Sequence, residues 1–508
     1  MNNGKICVSV CAETAEEFIE QIRRAESLAN VIELRFDCLK NIELEKLWSK
    51  IKQIRQSFDG KLLATFRPIE QGGKGNFTFA EREEFWFDFH VSEFVDWADF
   101  EIDFSEENIN KCCRKTLDKV IKSFHDFNKL PTNLNEIYNR ISANSKLLKI
   151  AIQIDDITDS IAIWKLLERA KKENKQIIPI AMGEAGKWTR ILGLAYGAFM
   201  TYAALDTGRE TAPGQISAKD LIETYRVREL TEKIEIYGII GNPVSHSLSP
   251  FMHNAAFKFH NVNAVYIPFE VKSLDEFIKR FIKKETREIE LNIKGFSVTI
   301  PHKTAIIKHL DLVDENAKAI GAVNTVKIEN GKLYGYNTDA QGFIEPLKNS
   351  YGDLGNAKIA VFGAGGAARA CVYALEKENA KVTIFARNIE KAQSLANEFQ
   401  VQSLNFKAQG ESYKNFDIVV NTTPLGTNGE FENESSATAE QLKNVNLVYD
   451  LVYNPFETQL IKEAKKVFVP TIGGMAMLIG QAMAQFKIWT GKEAPMKEMG
   501  AEVLKRLS

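Results

Sequence analysis

The sequence has no apolar run of the ~18 residues that a membrane-crossing helix needs, so no membrane partner is expected. Cysteine is scarce: six in 508 residues, too few and too irregularly spaced for a disulfide scaffold. Cys7 and Cys11 are near one another and Cys112 adjoins Cys113, but no CxxC pair exists and no second cluster completes a zinc site. Reduced, buried thiols and no metal are the expectation. A net charge of -2 provides no overall field for nucleic acid or anionic membrane. Met1-Asn2-Asn3-Gly4-Lys5 runs straight into an apolar strand, without the charge pattern of a signal or transit segment. The cytoplasm is the expected location. Repeats and low-complexity tracts are missing as well.

What is present is the pattern of large α/β domains. Hydrophobic residues make up 44% of the chain and charged residues 26%, values of globular chains with sizeable cores. Eight short apolar strands are predicted at Lys5–Cys11, Val31–Phe36, Lys61–Phe66, Val95–Ile102, Lys119–Phe124, Leu147–Ile152, Gln176–Ala181 and Ala198–Ala204. Helical stretches such as Ala15–Ala29 and Leu44–Phe58 lie between most of them. Eight strand–helix units in about 225 residues match a closed (β/α)8 TIM barrel. Tyr225–Lys233 is charged and reads as a helical joint. A second α/β pattern starts at Ile234–Ile240 and a third at Lys358–Phe362. Gly426–Ala439 reads as a polar loop. Gly473–Trp489 reads as one long helix that packs back on the domain begun at residue 234.

Charged residues inside barrel strands are the informative anomaly. Glu33 and Arg35 alternate within Val-Ile-Glu-Leu-Arg-Phe, which puts both on one face. In a barrel that face is the interior, where unpaired charge is costly. Arg67 closes the third strand, Glu101 the fourth and His125 the fifth, while Lys149 lies in the sixth and Arg190 follows the seventh. Strand C-termini form the active site in this fold, so these groups converge on one mouth. A lysine held among other cations has a reason for a depressed pKa, and its neutral amine attacks a carbonyl to give a Schiff base. A histidine moves protons near neutral pH, and arginines hold a carboxylate. The residues therefore suggest proton abstraction beside a carbonyl, through an iminium, on a small carboxylic acid.

Residues 5–220 resemble a type I 3-dehydroquinate dehydratase. The carrying motifs are Ile-Glu-Leu-Arg-Phe-Asp (32–37), Thr-Phe-Arg-Pro with Gln-Gly-Gly (65–73) and Ser-Phe-His-Asp-Phe (123–127). Lys149-Ile-Ala, Met-Gly-Glu (182–184) with Thr189-Arg190, and Ala-Pro-Gly-Gln (212–215) complete them. The resemblance implies Lys149 as the Schiff-base residue, His125 as general acid/base and Glu101 as its support. It implies Glu33, Arg35, Arg67, Arg190, Thr211 and Gln215 as substrate-binding residues. Thr189 and Thr211 stand where serine is more usual, and both keep the hydroxyl.

In the second half, Gly363-Ala364-Gly365-Gly366-Ala367-Ala368 follows a strand and opens a helix. A dinucleotide site requires this placement, with glycines for close backbone approach and a helix N-terminus for the pyrophosphate. The next strand ends in Ala386-Arg387-Asn388, where an NAD site carries an acid for the ribose. Arg387, with Lys391 one turn later, suits a 2′-phosphate, so NADP is expected.

Further motifs are Gly241-Asn-Pro-Val-Ser-His-Ser247-Leu-Ser249-Pro-Phe-Met-His253, Phe296-Ser297-Val-Thr299-Ile-Pro-His-Lys303, Gly321-Ala-Val-Asn324-Thr and Tyr336-Asn-Thr-Asp339. With the tail Gly473-Gly-Met-Ala-Met-Leu-Ile-Gly-Gln481-Ala, they make residues 235–508 similar to shikimate dehydrogenase. The resemblance implies Lys303 and Asp339 as the catalytic pair, and Ser247, Ser249, Ser297, Thr299, Asn324 and Gln481 as substrate-binding residues. Ser297, in place of the usual asparagine, resembles the fused plant-type enzymes. A positioned ammonium is also what hydride reduction of a ketone needs, since it protonates the nascent alkoxide. The expected layout is a barrel over 1–225, a linker at 226–233, a substrate domain over 234–340 completed by 474–508, and a Rossmann-type NADP domain over 341–473. The two halves together imply dehydration of 3-dehydroquinate followed by reduction to shikimate, with small-molecule partners only. A sensor that has lost catalysis is the rival reading, opposed by the presence of Lys149, His125, Lys303 and Asp339. A quinate dehydrogenase is the alternative for the second half.

Overall fold

The computed structural model describes residues 2–40, 43–88, 95–112, 120–405 and 415–507. Lys119 and Cys113 lie outside these. The chain divides into two compact units. The first comprises Met1–Glu235, Pro243–Ser245 and Ile267–Asn292, and the second Ile236–Asn242, His246–Tyr266 and Ile293–Ser508.

The first unit is built on eight parallel strands: β1 (Ile6–Val10), β2 (Val31–Arg35), β3 (Lys61–Thr65), β4 (Trp97–Glu101), β5 (Val120–Asp126), β6 (Leu147–Gln153), β7 (Gln176–Met182) and β8 (Thr201–Ala203). They pair in sequence order, and β8 returns to pair with β1. The Phe199 N–H donates to the Ile177 carbonyl at 2.8 Å, bringing the approach to β8 against β7. Helices cover the outside because they are amphipathic. Ala15–Glu26 starts where Thr14 caps Glu17 N–H, carries Arg23 and Arg24 in its last turn, and buries Phe18, Ile19 and Ile22. Inside the barrel, Cys7, Val31, Leu63, Ile121 and Ile178 form an apolar floor. Two residues further along β1 and β2, Ser9 and Glu33 begin the polar layer, because side chains repeat every second residue.

Two expectations fail here. Residues 225–233 are turns, not helix. Val227 and Leu230 are buried, and the Asn2 amide donates to both of their carbonyls, so the segment follows the barrel surface. Cys11 and Cys38 form a disulfide, whereas reduced thiols were expected. They end or follow neighbouring strands β1 and β2, which brings their Cα atoms to 5.4 Å across a separation of 27 residues. Cys7, Cys112 and Cys371 are buried.

The second unit contains most of one six-stranded sheet and all of another. The first has the order β10-β9-β11-β13-β14-β12, with β9 (Glu235–Gly241), β10 (Ala264–Glu270), β11 (Ile293–Val298), β12 (Leu312–Val313), β13 (Thr325–Glu329) and β14 (Lys332–Tyr336). β9 and β11 are parallel, and β13 runs antiparallel to both β11 and β14. The second sheet is parallel throughout, in the order β17-β16-β15-β18-β19-β20. It comprises β15 (Lys358–Phe362), β16 (Lys381–Ala386), β17 (Gln402–Asn405), β18 (Ile418–Asn421), β19 (Leu447–Asp450) and β20 (Thr471–Ile472). This is the doubly wound order, and its switch point between β15 and β18 is where such sheets open a ligand crevice. The long C-terminal helix is Met475–Thr490. It crosses helix Asp339–Tyr351 very closely: a Cβ on Gly342 would lie 2.6 Å from Gln481 N, and one on Gly480 would lie 3.1 Å from Gly342 Cα.

Candidate functional site

Lys149 lies near the middle of β6, buried, with its ammonium among three oxygens. Asp99 Oδ2 is 3.0 Å from Nζ, Tyr202 Oη 2.8 Å and Glu33 Oε1 3.4 Å. The sequence reading placed cations around this lysine. The pleat instead brings carboxylates from β2 and β4 to it. Glu33 also accepts from Ser9 Oγ at 2.5 Å and from Thr65 Oγ1 at 2.9 Å. Burial alone would raise the Glu33 pKa, but Lys149, Arg67 and Arg35 outweigh it and hold the carboxyl well below the usual range.

Arg67 donates to Asp99 at 2.6 Å and lies 3.5 Å from Glu101. Glu101 also pairs with Arg82 at 3.2 Å. Glu101, expected to support His125, is paired here with the two arginines. Burial, with Asp99 beside it, pushes the Glu101 carboxyl up to about 8 against these arginines. Arg35 is held by Asp37 in a two-point contact at 2.8 and 2.7 Å. That pair leaves the guanidinium little rotational freedom.

His125 and Arg190 differ from these satisfied groups. Both are buried, yet neither ring nitrogen of His125 has a hydrogen-bond partner among the described residues, nor do Nε and Nη1 of Arg190. Burial, reinforced by Arg67, Lys149 and Arg35, keeps the imidazole neutral well below its ordinary pKa. Burial lowers Arg190 to about 10, still a cation at neutral pH. Buried polar groups left open in this way are set to receive a ligand. Gln215 Oε1 accepts from Thr211 N at 2.7 Å and from Thr211 Oγ1 at 3.2 Å, which folds that loop on itself. Thr189 Oγ1 donates to the Gly186 carbonyl. Gln71, part of the Gln-Gly-Gly motif, accepts from the His125 backbone N–H at 3.2 Å.

In the second unit, Lys303 Nζ donates to Asp339 Oδ2 at 2.5 Å. Asn324 Nδ2 holds the other oxygen, Oδ1, at 2.7 Å, and also reaches Thr338 Oγ1. The carboxylate is therefore fixed from both sides. Ser297 Oγ accepts from Tyr266 Oη at 2.7 Å and donates to Gln485 Oε1 at 2.8 Å. Gln485 Nε2 reaches the Asn324 carbonyl at 3.3 Å. Gln485 escaped the sequence reading although it lies one helical turn beyond Gln481. Ser247 Oγ accepts from Ser249 N, and Ser249 is buried at the start of helix Ser249–Phe259. Thr299 is half-buried, and Gln481 Nε2 donates to the Leu478 carbonyl.

The loop at Gly363 fits a dinucleotide. Gly363 has φ +117°, and a Cβ there would lie 2.3 Å from Thr422 Oγ1. Gly365 faces open space, and a Cβ on Gly366 would touch Lys303 Cδ at 3.6 Å, so the cradle adjoins the Lys303–Asp339 pair. Ala364 and Ala367 are half-buried beside it. Arg387 and Lys391 are exposed after β16, free to meet a phosphate. Asn388 caps helix Ile389–Phe399 by accepting from Lys391 N at 2.9 Å.

A barrel with a buried lysine at its centre, joined to a dinucleotide-dependent reductase, defines a fused two-enzyme chain. The type I 3-dehydroquinase family matches residues 6–232. The shikimate dehydrogenase substrate-binding domain matches 239–326, shikimate/quinate 5-dehydrogenase 345–475, and the shikimate 5'-dehydrogenase C-terminal domain 474–504. A chloroplastic bifunctional 3-dehydroquinate dehydratase/shikimate dehydrogenase of Arabidopsis thaliana is 34% identical, covering 99% of this chain and 85% of its own. A shikimate dehydrogenase (NADP(+)) of Methanocaldococcus jannaschii is 44% identical over 55% of this chain and 99% of its own. A solved shikimate dehydrogenase in complex with NADP+ matches 55% of this chain and 98% of its own at 41% identity, with a TM-score of 0.50. The chain belongs to the bifunctional 3-dehydroquinate dehydratase/shikimate dehydrogenase family, a fusion of a lyase and an NADP-dependent oxidoreductase.

Proposed function

We propose that the chain converts 3-dehydroquinate to 3-dehydroshikimate at Lys149 and reduces that product to shikimate at Lys303, with NADPH as reductant. The domain division is 1–225 for the dehydratase, 226–233 for the joint, 234–340 with 474–508 for the dehydroshikimate site, and 341–473 for the cofactor. The first reaction rests on the open imidazole of His125 in the same barrel mouth as a buried lysine hydrogen-bonded to Asp99 and Tyr202. Lys149 adds to the carbonyl and water leaves, giving an iminium. His125 takes the proton beside that carbon and returns it to the departing hydroxyl. Arg190 and Arg35 hold the carboxylate, and Glu33, Arg67, Thr211 and Gln215 hold the remaining substrate oxygens. Glu101 acts at a distance, through Arg67.

In the second reaction the bound cofactor supplies a hydride to the carbonyl carbon. Lys303 delivers a proton to the oxygen, and Asp339 keeps the ammonium oriented and charged. Ser247, Ser249, Ser297, Thr299, Asn324 and Gln481 hold the substrate's carboxylate and hydroxyls. Gly363, Ala364, Gly365, Gly366 and Ala367 cradle the pyrophosphate, and Arg387 with Lys391 meets the 2′-phosphate. The enzyme works in the cytoplasm on small molecules, without nucleic acid, in keeping with its near-neutral charge.

One assay tests the whole reading. Dehydroquinate supplied with NADPH should oxidise the cofactor, and NADH should do so far more slowly. Borohydride added during turnover should leave a mass adduct on Lys149. Without that adduct the iminium route fails, and equal rates with NADH remove the role given to Arg387. Shikimate against quinate as the reduced substrate separates the alternative dehydrogenase.

A further inference from the structure

Tyr202 is the group nearest the Lys149 nitrogen, and the dehydration as derived above leaves it idle. It sits on β8 beside Cys7 of β1, with its ring inside the barrel and only 3% of its surface exposed. Its hydroxyl is 2.8 Å from Nζ, and its ring centroid lies 4.0 Å from the same atom. The hydroxyl's own proton faces Glu33 Oε1 at 3.5 Å. An ammonium has three N–H donors, and Lys149 has three acceptors: Glu33, Asp99 and Tyr202.

Iminium formation removes two of those N–H protons. In the balanced step, Lys–NH3+ and the ketone give C=NH+–Lys and water, and both lost protons leave with the oxygen. One N–H remains. Resting on the Schiff-base reading, we propose that Tyr202 is a further catalytic residue, whose hydroxyl accepts this last N–H while its ring face covers the positive nitrogen. The consequence is chemical. The elimination needs a cationic nitrogen as electron sink, and Tyr202 Oη, at 2.8 Å against 3.0 Å for Asp99 and 3.4 Å for Glu33, is the nearest acceptor for its last N–H. A phenol oxygen is too weak a base to take that proton, and the phenol itself stays protonated, because burial, then Glu33, Cys7 and Asp99, raises its pKa well above the ordinary value. A π face at this distance stabilises a desolvated cation further. Arg67, which shares Asp99 with Lys149, is a cation with no acceptor, and the neutral imidazole of His125, which can accept, is given to the proton beside the iminium carbon in the proposed dehydration.

The test uses the full chain and Tyr202→Phe, which keeps the ring and removes the hydroxyl. Dehydratase kcat should fall about 10- to 100-fold, the loss of one hydrogen bond to a charged group, with KM changed less than about 3-fold. The alkaline limb of kcat should move to lower pH, because the iminium loses its proton earlier. Borohydride should still trap substrate on Lys149 in the variant, showing an intact barrel, and the dehydrogenase rate should be unchanged. Tyr202→Leu should lose more than Tyr202→Phe, since the ring goes as well. An unchanged kcat or an unmoved alkaline limb in a variant that still traps substrate would overturn the role of Tyr202. So would failure to trap in the variant alone, since the hydroxyl is assigned a role only after the iminium forms. Failure to trap in the native enzyme would instead remove the Schiff-base reading beneath it.

Discussion

His253 should make the second unit sensitive to acid, by an amount that follows from its burial. The ring is fully buried, stacked on Tyr266 at 4.4 Å, with Nε2 3.3 Å from Gln485 Oε1 and no partner for Nδ1 among the described residues. Burial drives its pKa down to about 3, only partly opposed by Gln485. A histidine with a depressed folded pKa binds fewer protons folded than unfolded, so protonation favours unfolding. The cost is absent above the unfolded value of about 6.5 and grows as pH falls toward about 3. At pH 5 it is about 1.5 pH units, or roughly 2 kcal/mol, a ~30-fold change in the opening equilibrium. His253→Phe keeps the stack and cannot take a proton. At pH 7 the variant should be slightly less stable, by about 1 kcal/mol for the lost hydrogen bond. Between pH 7 and pH 5 it should gain ~30-fold in protection relative to the native chain. Hydrogen exchange of peptides from Met475–Thr490 measures this, because comparing the two proteins at one pH cancels the intrinsic exchange rate. A native-to-variant ratio that is the same at both pH values would refute the argument.

Three other perturbations bear on the sites. Lys303→Ala should lower dehydrogenase kcat by ~100-fold or more while dehydratase turnover stays unchanged, and an unaltered rate excludes the proton-delivery role. Arg387→Ala should raise the KM for NADPH by about 10- to 100-fold and leave that for NADH nearly constant, as expected when one charged contact to a phosphate is lost. Gly363→Ala should weaken NADPH binding and cost about 1–3 kcal/mol, because the backbone there has φ +117° and the new Cβ meets Thr422. Isothermal titration with NADP+ and a thermal melt read both effects, and native-like values would show that the loop relaxes.

The barrel was legible because its strands are short apolar runs, and β2, β4, β5 and β6 are interrupted by charges that need partners inside a barrel. Those charges also marked the mouth. Asp99 lies on the same strand face as Glu101, and period-two alternation made it available, yet only the pairing of β4 with its neighbours shows which of the two reaches Lys149. Tyr202 in an apolar strand is indistinguishable in sequence from a core aromatic. Its role depends on where the closing strand meets β1. Gln485 carried a signal, its spacing from Gln481, but a buried amide network is visible only once Ser297, Tyr266 and Asn324 are in place. The Cys11–Cys38 pair depends on strand adjacency, which spacing does not encode. The joint at 225–233 has helix-forming residues, but burial of Val227 and Leu230 overrides their propensity.

The crossing at Gly342 and Gly480 has a mechanical meaning. Where two backbones touch without side chains between them, the helices cannot slide by less than a whole turn without collision. Asp339 heads one of these helices and Gln481 belongs to the other. The group proposed to steady the proton donor and the amide proposed to grip the substrate are thus carried on one stiff frame. Any opening of the crevice to admit cofactor has to bend the chain outside that frame, so the distance between Asp339 and Gln481 is set once, at folding, and not again in each turnover.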